Sequence, residues 1–231
     1  MQQVPSNFTR VLAVGAHPDD AEFFAGGTLF ELVRRGAQVH LVVCTSGSRG
    51  GREMADAAEV RRDEQESAAR ILGLADVIHF GLTDGELEAD EELRKALVRE
   101  IRQIRPEVVL AHDPRTWWTS MGDRVELGHS DHRAAGQALL DAIYPRAASP
   151  NFYPEMGLDP WCPREAWLFD TAKPDLMLDV TEAWPKKLEA LRAHASQESV
   201  AGGLTAPALD LAQQFRHGER LGEAYVRLKL W

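Results

Sequence analysis

The feature of this sequence that most constrains its fold is the alternation of short apolar runs with amphipathic stretches in its first half. Residues 11–14 form a continuous apolar run, as buried parallel strands do. Residues 26–35 carry apolar side chains at helical spacing up to Gly36, where a helix would end. Further strands are predicted over 39–45, 77–80 and 108–111, and helices over 55–72 and 91–104. Strands separated by such helices need crossover connections, so we predict an α/β fold with a Rossmann-like, mostly parallel sheet and helices on both faces.

The second half of the chain is less regular. Residues 112–128 and 145–163 are rich in Pro, Trp and Gly and predict two long loops, which in compact domains often line functional sites. Beyond the first loop we predict helices over 133–142 and 184–193 and strands over 176–180 and 225–230. Because no linker or internal repeat separates the halves, we predict a single domain over residues 1–231.

The composition excludes several classes of partner. Of the 231 residues, 44% are hydrophobic and 27% charged, which is typical of a globular chain with a core. The net charge of −10 opposes binding to nucleic acid or to an anionic membrane surface. Two cysteines, Cys44 and Cys162, are too few for a disulfide scaffold. The first residues lack the basic start and apolar stretch of a signal peptide, so we expect a cytoplasmic protein.

A first group of polar residues follows the first predicted strand, as the sequence His17-Pro18-Asp19-Asp20. Ligands of open α/β sheets bind beyond the carboxyl ends of strands, so this position is informative. The motif is not a glycine-rich phosphate loop, and its two carboxylates would repel a pyrophosphate, which disfavours a nicotinamide or SAM cofactor. The alternative interpretation is that Asp19 or Asp20 caps a helix and that His17 is an ordinary loop residue.

A second group, His129-Ser130-Asp131-His132, stands at a predicted helix start. Histidines three residues apart share one face of a helix. His17, Asp20 and His132 could therefore supply three metal ligands and leave a coordination position open, which is the arrangement of catalytic zinc sites. A polar helix start without a metal is the alternative interpretation.

Together these motifs resemble those of the PIG-L/LmbE-like family of zinc-dependent N-deacetylases. Four further stretches of the chain match the family in order: Gly26-Gly27-Thr28-Leu29, Thr45-Ser46-Gly47, Arg61-Arg62-Asp63-Glu64 and His194-Ala195-Ser196-Gln197. The resemblance covers nearly the whole chain. It implies a Rossmann-like fold and hydrolysis of the N-acetyl group of an N-acetylglucosamine-type sugar or glycoside, a small-molecule amino-sugar substrate.

The resemblance also implies roles for individual residues. His17, Asp20 and His132 would bind Zn²⁺, although two imidazoles and a carboxylate also suit other first-row divalent metals. Asp19 would be the general base, and a protonated His129 would stabilise the oxyanion. Asp131 would hold either His129 or His132 in its tautomer.

Three further residues are candidate substrate contacts, each with a simpler alternative. Arg61 could bind a substrate hydroxyl or lie solvated on a helix, and Asp84 could line the pocket or belong to an Asp-Gly turn. Trp117 could pack on a sugar face or anchor its loop. His112, at the end of a predicted strand, could support the ligands. The chain departs from the family at Gly128, where the bacillithiol-pathway type has Arg. It also departs at the loop Ser48-Arg49-Gly50-Gly51, where many members have an acidic residue.

Two other functions stay open at the level of sequence. One is a nucleotide- or SAM-binding Rossmann protein, and the other is a non-catalytic, metal-stabilised binding protein. The acidic charge favours neutral or amine-bearing substrates over polyanions. The sequence does not determine the oligomeric state, and a homo-oligomer is one of the states that it allows.

Overall fold

The computed structural model describes residues 1–51, 54–121, 124–198 and 203–230, without the side chains at 120, 121 and 124. In chain order its elements are β1 (Gln2–Gln3), β2 (Arg10–Gly15), α1 (Asp20–Arg34), β3 (Gln38–Thr45), α2 (Ala57–Leu72), β4 (Asp76–Leu82), α3 (Glu91–Ile104), β5 (Val108–His112), β6 (Trp118–Met121), β7 (Arg124–Leu127), α4 (Ser130–Asp141), a π-helical turn (Ala142–Ala147), a 3₁₀ helix (Pro154–Met156), β8 (Glu165–Phe169), β9 (Leu176–Asp179), α5 (Trp184–Ala193), α6 (Ala195–Glu198), α7 (Thr205–Gln214) and β10 (Gly222–Lys229).

Eight strands form one central sheet in the order β1-β9-β10-β8-β5-β2-β3-β4. Neighbouring strands are parallel except where β10 pairs with β8 and β9. The predicted mostly parallel sheet is therefore confirmed. The chain runs from β2 outward to β3 and β4, then returns to β5 on the other side of β2 and continues to β8. The carboxyl ends of β2 and β5 consequently border a topological switch point, where such sheets bind ligands.

Alternate residues of the central strands enter two separate hydrophobic cores. Val11 and Ala13 of β2 face one core, which Leu29 and Leu32 of α1 complete. Leu12 and Val14 face the other core, which is completed by residues of α3 and α4, including Leu97, Ile101 and Leu139. Helices therefore cover both faces, as predicted, and both sides of β2 are excluded from water. In the described parts of the chain, no helix has the length and apolar composition that crossing a membrane would require.

The close packing of α4 against the end of β5 depends on a glycine. A Cβ atom at Gly136 would lie 2.3 Å from the carbonyl oxygen of His112. Gly136 stands one turn after His132, so this approach brings the first turn of α4 beside His112. A side chain at position 136 would push the two histidines apart.

The structure corrects several predicted elements. The helix predicted over 26–35 begins at Asp20, and the one predicted over 133–142 begins at Ser130. Residues Trp118–Met121 and Arg124–Leu127 form a hairpin inside the stretch predicted as a loop. The strand β8 and the helix α7 were not predicted. The strand β8 has only five residues. In so short a segment, the pattern of apolar side chains does not distinguish a strand from a loop that ends in apolar residues.

Candidate metal and active site

A cluster of histidine and aspartate side chains lies at the switch point of the sheet. The loop after β2 supplies His17 and Asp19, and Asp20 opens α1. The first turn of α4 and its N-cap supply the second predicted group, and further members follow the ends of other strands. The cluster comprises His17, Asp19, Asp20, Asp84, His112, His129, Asp131, His132 and Asp170. The two predicted motifs, far apart in sequence, thus meet in space.

Asp20 is the centre of this cluster and is almost fully buried. Its Oδ2 accepts a hydrogen bond from the backbone N–H of His17 (2.8 Å) and lies 3.6 Å from Nδ1 of the same residue. Oδ2 also lies 3.0 Å from Nε2 of His112, and Oδ1 lies 3.3 Å from Nε2 of His132. Asp20 is therefore adjacent to both histidines predicted to share a metal with it.

The donor atoms suit a divalent metal ion. Ligands of a tetrahedral zinc, with bonds of about 2.0–2.1 Å, lie about 3.3 Å apart, close to the separations of Asp20 from His132 and His17. Among the described residues, three sets of side chains have ligand atoms within 4.8 Å of one another: His17–His129–His132, Asp20–His112–His132 and His17–Asp84–Asp131. The predicted trio is thus divided between overlapping sets rather than gathered in one. The cluster can hold a metal ion, and it offers His112 as a further ligand.

The electrostatics of the cluster also favour a cation. Burial opposes charge on His17, but hydrogen bonds to Asp131, Asp20 and Asp84 raise its pKa to about 12. Burial likewise opposes charge on His132, yet the carboxylates of Asp20 and Asp170 raise its pKa to about 9. Without a metal, the acidic surroundings therefore keep protons on these imidazoles. Because a metal ligand must be unprotonated, a bound cation would displace those protons.

Asp19 is held apart from the donor atoms around Asp20. Its backbone has a φ of 101°, the left-handed region that is rare for a residue other than glycine. Its N–H donates to Oε1 of Gln65 (3.0 Å), and Arg61 donates to its carboxylate (2.8 Å). Burial raises the pKa of Asp19 to about 6, although the charge of Arg61 opposes the shift. No potential metal set among the described residues includes Asp19. This arrangement suits a proton acceptor beside a metal site.

Asp131 contacts two histidines of the cluster, His129 through its backbone and His17 through its carboxylate. Nδ1 of His129 accepts the backbone N–H of Asp131 (3.2 Å), so its ring proton belongs on Nε2. Burial and the neighbouring imidazoles of His17 and His132 lower the pKa of His129. The Asp131 carboxylate lies 3.2 Å from Nε2 of His17 and accepts the backbone N–H of Gly85. The carboxylate of Asp131 therefore orients His17, whereas its backbone N–H holds His129 in one tautomer.

The three predicted substrate contacts lie in different surroundings. Arg61 is buried rather than solvated, and it donates to the carbonyl oxygens of Pro18 and Gly47 as well as to Asp19. Asp84 lies 3.2 Å from Nε2 of His17, inside the cluster. Trp117 is 60% exposed, and the Arg133 guanidinium lies 4.2 Å from the centre of its ring. Their contacts with a substrate stay predictions.

Asp170, which directly follows β8, belongs to the cluster although no sequence motif predicted it. Its Oδ2 lies 3.0 Å from Nδ1 of His132 and 3.4 Å from Nδ1 of His112, so one carboxylate orients both rings. The two imidazoles stack with their centroids 3.8 Å apart. The signal in the sequence was an aspartate after an apolar run, which is visible only once residues 165–169 are recognised as a strand.

The fold and this cluster define an α/β protein with a metal-binding His/Asp site at the switch point of its sheet. A model of the family PIG-L, GlcNAc-PI de-N-acetylase, matches residues 12–143. The diacetylchitobiose deacetylase of Thermococcus kodakarensis is 35% identical over 81% of this chain and 70% of its own length. The structure of N,N'-diacetylchitobiose deacetylase from Pyrococcus horikoshii superposes with a TM-score of 0.86 and 29% identity, covering 96% of this chain and 85% of that one.

One relative carries a different name. The 4-oxalmesaconate hydratase of Pseudomonas putida is 30% identical over 81% of this chain and 73% of its own length. The chain belongs to the PIG-L family of deacetylases, as its motifs predicted.

Proposed function

We propose that this protein is a zinc-dependent hydrolase that removes the N-acetyl group from an N-acetylglucosamine-type sugar or glycoside. The observation that carries the proposal is the separation of two adjacent carboxylates. Asp20 lies among the imidazoles, whereas Asp19 is turned to Arg61 and Gln65 and stays out of every potential metal set in the described residues. The deacetylase names of the Thermococcus and Pyrococcus relatives support the same reaction.

His17, Asp20 and His132 are the residues that we propose as metal ligands. A zinc ion held there would lower the pKa of bound water and polarise the acetyl carbonyl. Asp131 and Asp170 accept hydrogen bonds from the rings of His17 and His132, which fixes the orientation of each imidazole. The nitrogen of His132 opposite Asp170 faces Asp20 and is available to a metal.

The chain's own groups provide the proton transfers and the oxyanion site. Asp19 accepts the proton of the attacking water and returns it to the leaving amine, and burial, which raises the pKa of this carboxyl, favours both steps. His129, the more exposed imidazole of the cluster, donates from Nε2 to the negative oxygen of the tetrahedral intermediate. A neutral donor suffices for this role, because Nδ1 is already engaged by the backbone of Asp131.

The substrate that we propose is a small N-acetylated amino sugar, with diacetylchitobiose as the first candidate because the Thermococcus and Pyrococcus relatives are named for it. A hydratase is the second candidate, favoured by the Pseudomonas relative. The carboxylates of Asp19, Asp20, Asp84, Asp131 and Asp170 crowd this site, which disfavours a polyanionic substrate. The same carboxylates disfavour the nucleotide-binding alternative.

The test is an assay of acetate release and of hydration side by side. Purified protein is incubated with diacetylchitobiose, with N-acetylglucosamine and with 4-oxalmesaconate, and its metal content is measured in parallel. Acetate release that a chelator abolishes and zinc restores is the expected result. Hydration of 4-oxalmesaconate without acetate release from either sugar would replace the proposal with the second candidate.

A further inference from the structure

A buried polar cluster lies beneath Asp19, where three helical segments meet. It consists of Glu22 in the first turn of α1, Gln65 in the middle of α2, and His194 at the end of α5. All three residues are fully buried. We propose that this trio positions the general base and that Gln65 is a positioning residue for Asp19. The inference rests on the proposed function, because it needs Asp19 to act as the base.

The contact between Gln65 and Asp19 falls on a constrained peptide. Asp19 adopts its left-handed backbone without the freedom of glycine. Its N–H donates to Oε1 of Gln65 (3.0 Å), and its carbonyl oxygen accepts the N–H of Phe23 (2.8 Å). Both polar groups of the residue's backbone are therefore fixed. Removing the Gln65 acceptor would leave a largely buried N–H unsatisfied and would release the peptide from the conformation that directs its carboxylate.

Glu22 determines which end of the Gln65 amide faces Asp19. Nε2 of Gln65 donates to Oε1 of Glu22 (2.8 Å), and this bond leaves the amide oxygen for the N–H of Asp19. A flipped amide would place its NH₂ group against the N–H of Asp19 and its oxygen against the carboxylate of Glu22, so both hydrogen bonds would be lost. Glu22 thus acts on the base through Gln65, at a distance from the reacting atoms.

His194 supports Glu22 from the opposite side. Its Nε2 lies 3.6 Å from Oε2 of Glu22. Among the described residues, Oε2 of Glu22, both ring nitrogens of His194 and Nε of Arg61 are buried without a hydrogen-bond partner. Arg61, whose Nε is one of these atoms, also donates to the Asp19 carboxylate. A well-packed apolar trio would avoid their desolvation cost, and a polar trio at this place therefore indicates a functional constraint.

The first test is the variant Gln65→Met, which keeps the length of the side chain but loses the amide. We expect kcat for acetate release to fall roughly 10- to 100-fold, the effect of a displaced catalytic group, with KM changed less than about twofold. Metal content should be unchanged, since Gln65 contacts no proposed ligand. Gln103→Met is the matched control, because Gln103 is an exposed residue of α3 remote from the cluster, and it should leave kcat unchanged.

A double-mutant cycle separates positioning from a loss of packing. In the Asp19→Asn background the base is absent, so Gln65→Met should cause little further loss of kcat. A packing defect would lower kcat by the same factor in both backgrounds. The exchange Glu22→Gln with Gln65→Glu keeps the net charge and both hydrogen bonds. It should recover most of the activity that Gln65→Glu loses alone, where two carboxylates would face each other.

The outcomes distinguish this inference from the proposed function. Unchanged kcat in Gln65→Met, in a protein whose wild type releases acetate, would overturn the positioning role and leave the function intact. Equal losses in the two backgrounds, or failure of the exchange to recover activity, would also overturn it. A wild type that releases no acetate from any N-acetylated sugar would overturn the function itself, and the role of Gln65 with it.

Discussion

Adjacent residues at this site face different surroundings because the chain turns sharply between them. The left-handed backbone of Asp19 precedes the first residue of α1, so the side chains of Asp19 and Asp20 diverge. Asp20 faces the imidazoles of His132 and His112, whereas Asp19 faces Arg61. The sequence predicted two roles for two carboxylates, and the backbone conformation gives the physical reason that they can differ.

The different surroundings of Asp19 and Asp20 predict that substitutions of the two residues affect metal binding and activity differently. Asp19→Asn keeps the shape of the side chain and removes the proton acceptor, so zinc should stay bound while kcat falls by about 10²–10⁴. Asp20→Asn, the matched control, and Asp20→Ala should lose zinc and activity together. Metal stoichiometry measured beside kcat checks both expectations. Zinc lost from Asp19→Asn but retained by Asp20→Ala would reverse the assignment.

His129 gives a second prediction at the scale of the residue. Its imidazole is available through Nε2, and it is the partly exposed ring of the cluster. His129→Ala should lower kcat by about 10²–10³ and retain the metal, the effect expected when one oxyanion donor is removed. His129→Gln retains an N–H donor and should lose less. Loss of zinc from His129→Ala would make this residue a ligand, in line with its place in one potential metal set.

At the scale of the element, the hairpin β6–β7 brings Trp117, the residue before β6, beside Gly128, the residue after β7. The N–H of Gly128 donates to the carbonyl oxygen of Trp117, and Arg133 both covers the Trp117 ring and donates to the carbonyl oxygen of Gly128. These contacts fix Trp117 against Gly128, the residue that precedes His129 in the chain. Trp118 pairs with Leu127 across the hairpin, and both are well exposed.

This arrangement predicts that Trp117, rather than Trp118, contacts the substrate. Trp117→Ala should raise KM for diacetylchitobiose roughly 2- to 10-fold, because one aromatic contact with the substrate is lost, and should leave kcat nearly unchanged. Trp118→Ala is the matched control and should leave KM unaltered. Initial-rate measurements on both variants check the expectation. Equal effects of the two substitutions would place the sugar elsewhere on the hairpin or away from it.

The parts of the site that the sequence predicted are those that are local in sequence. His17, Asp19 and Asp20 follow a clear apolar run, and His129 to His132 stand at a helix start, so spacing alone indicated both groups. Asp170 was missed because its strand, β8, has only five residues and borders a predicted loop. The pairing of Asp131 with His17 spans 114 residues and depends on how α4 packs on the sheet, which no local pattern contains. Tertiary contacts of this kind determine how the side chains are oriented, whereas the local motifs determine which chemical groups the site contains.

At the scale of the whole molecule, the carboxylates around His17 and His132 repel one another, and the chain as a whole has a net charge of −10. The site joins the ends of β2, β5 and β8 to the first turns of α1 and α4. A cation bound there would therefore both neutralise the site and connect the central elements of the fold. The single-domain boundary, the cytoplasmic location and a homo-oligomer stay predictions.

Metal removal should consequently lower the stability of the entire fold. A ligand present at 100 times its Kd stabilises the folded state by about 2.7 kcal/mol, which in a chain of this size raises Tm by roughly 5–10 °C. We expect chelation to lower Tm by that amount and zinc to restore it, as measured by calorimetry at several zinc concentrations. Asp20→Ala should show no such dependence on chelator or zinc, because a proposed ligand is missing. A wild-type Tm that is independent of both chelator and zinc would contradict metal binding by the folded protein and, with it, the proposed reaction.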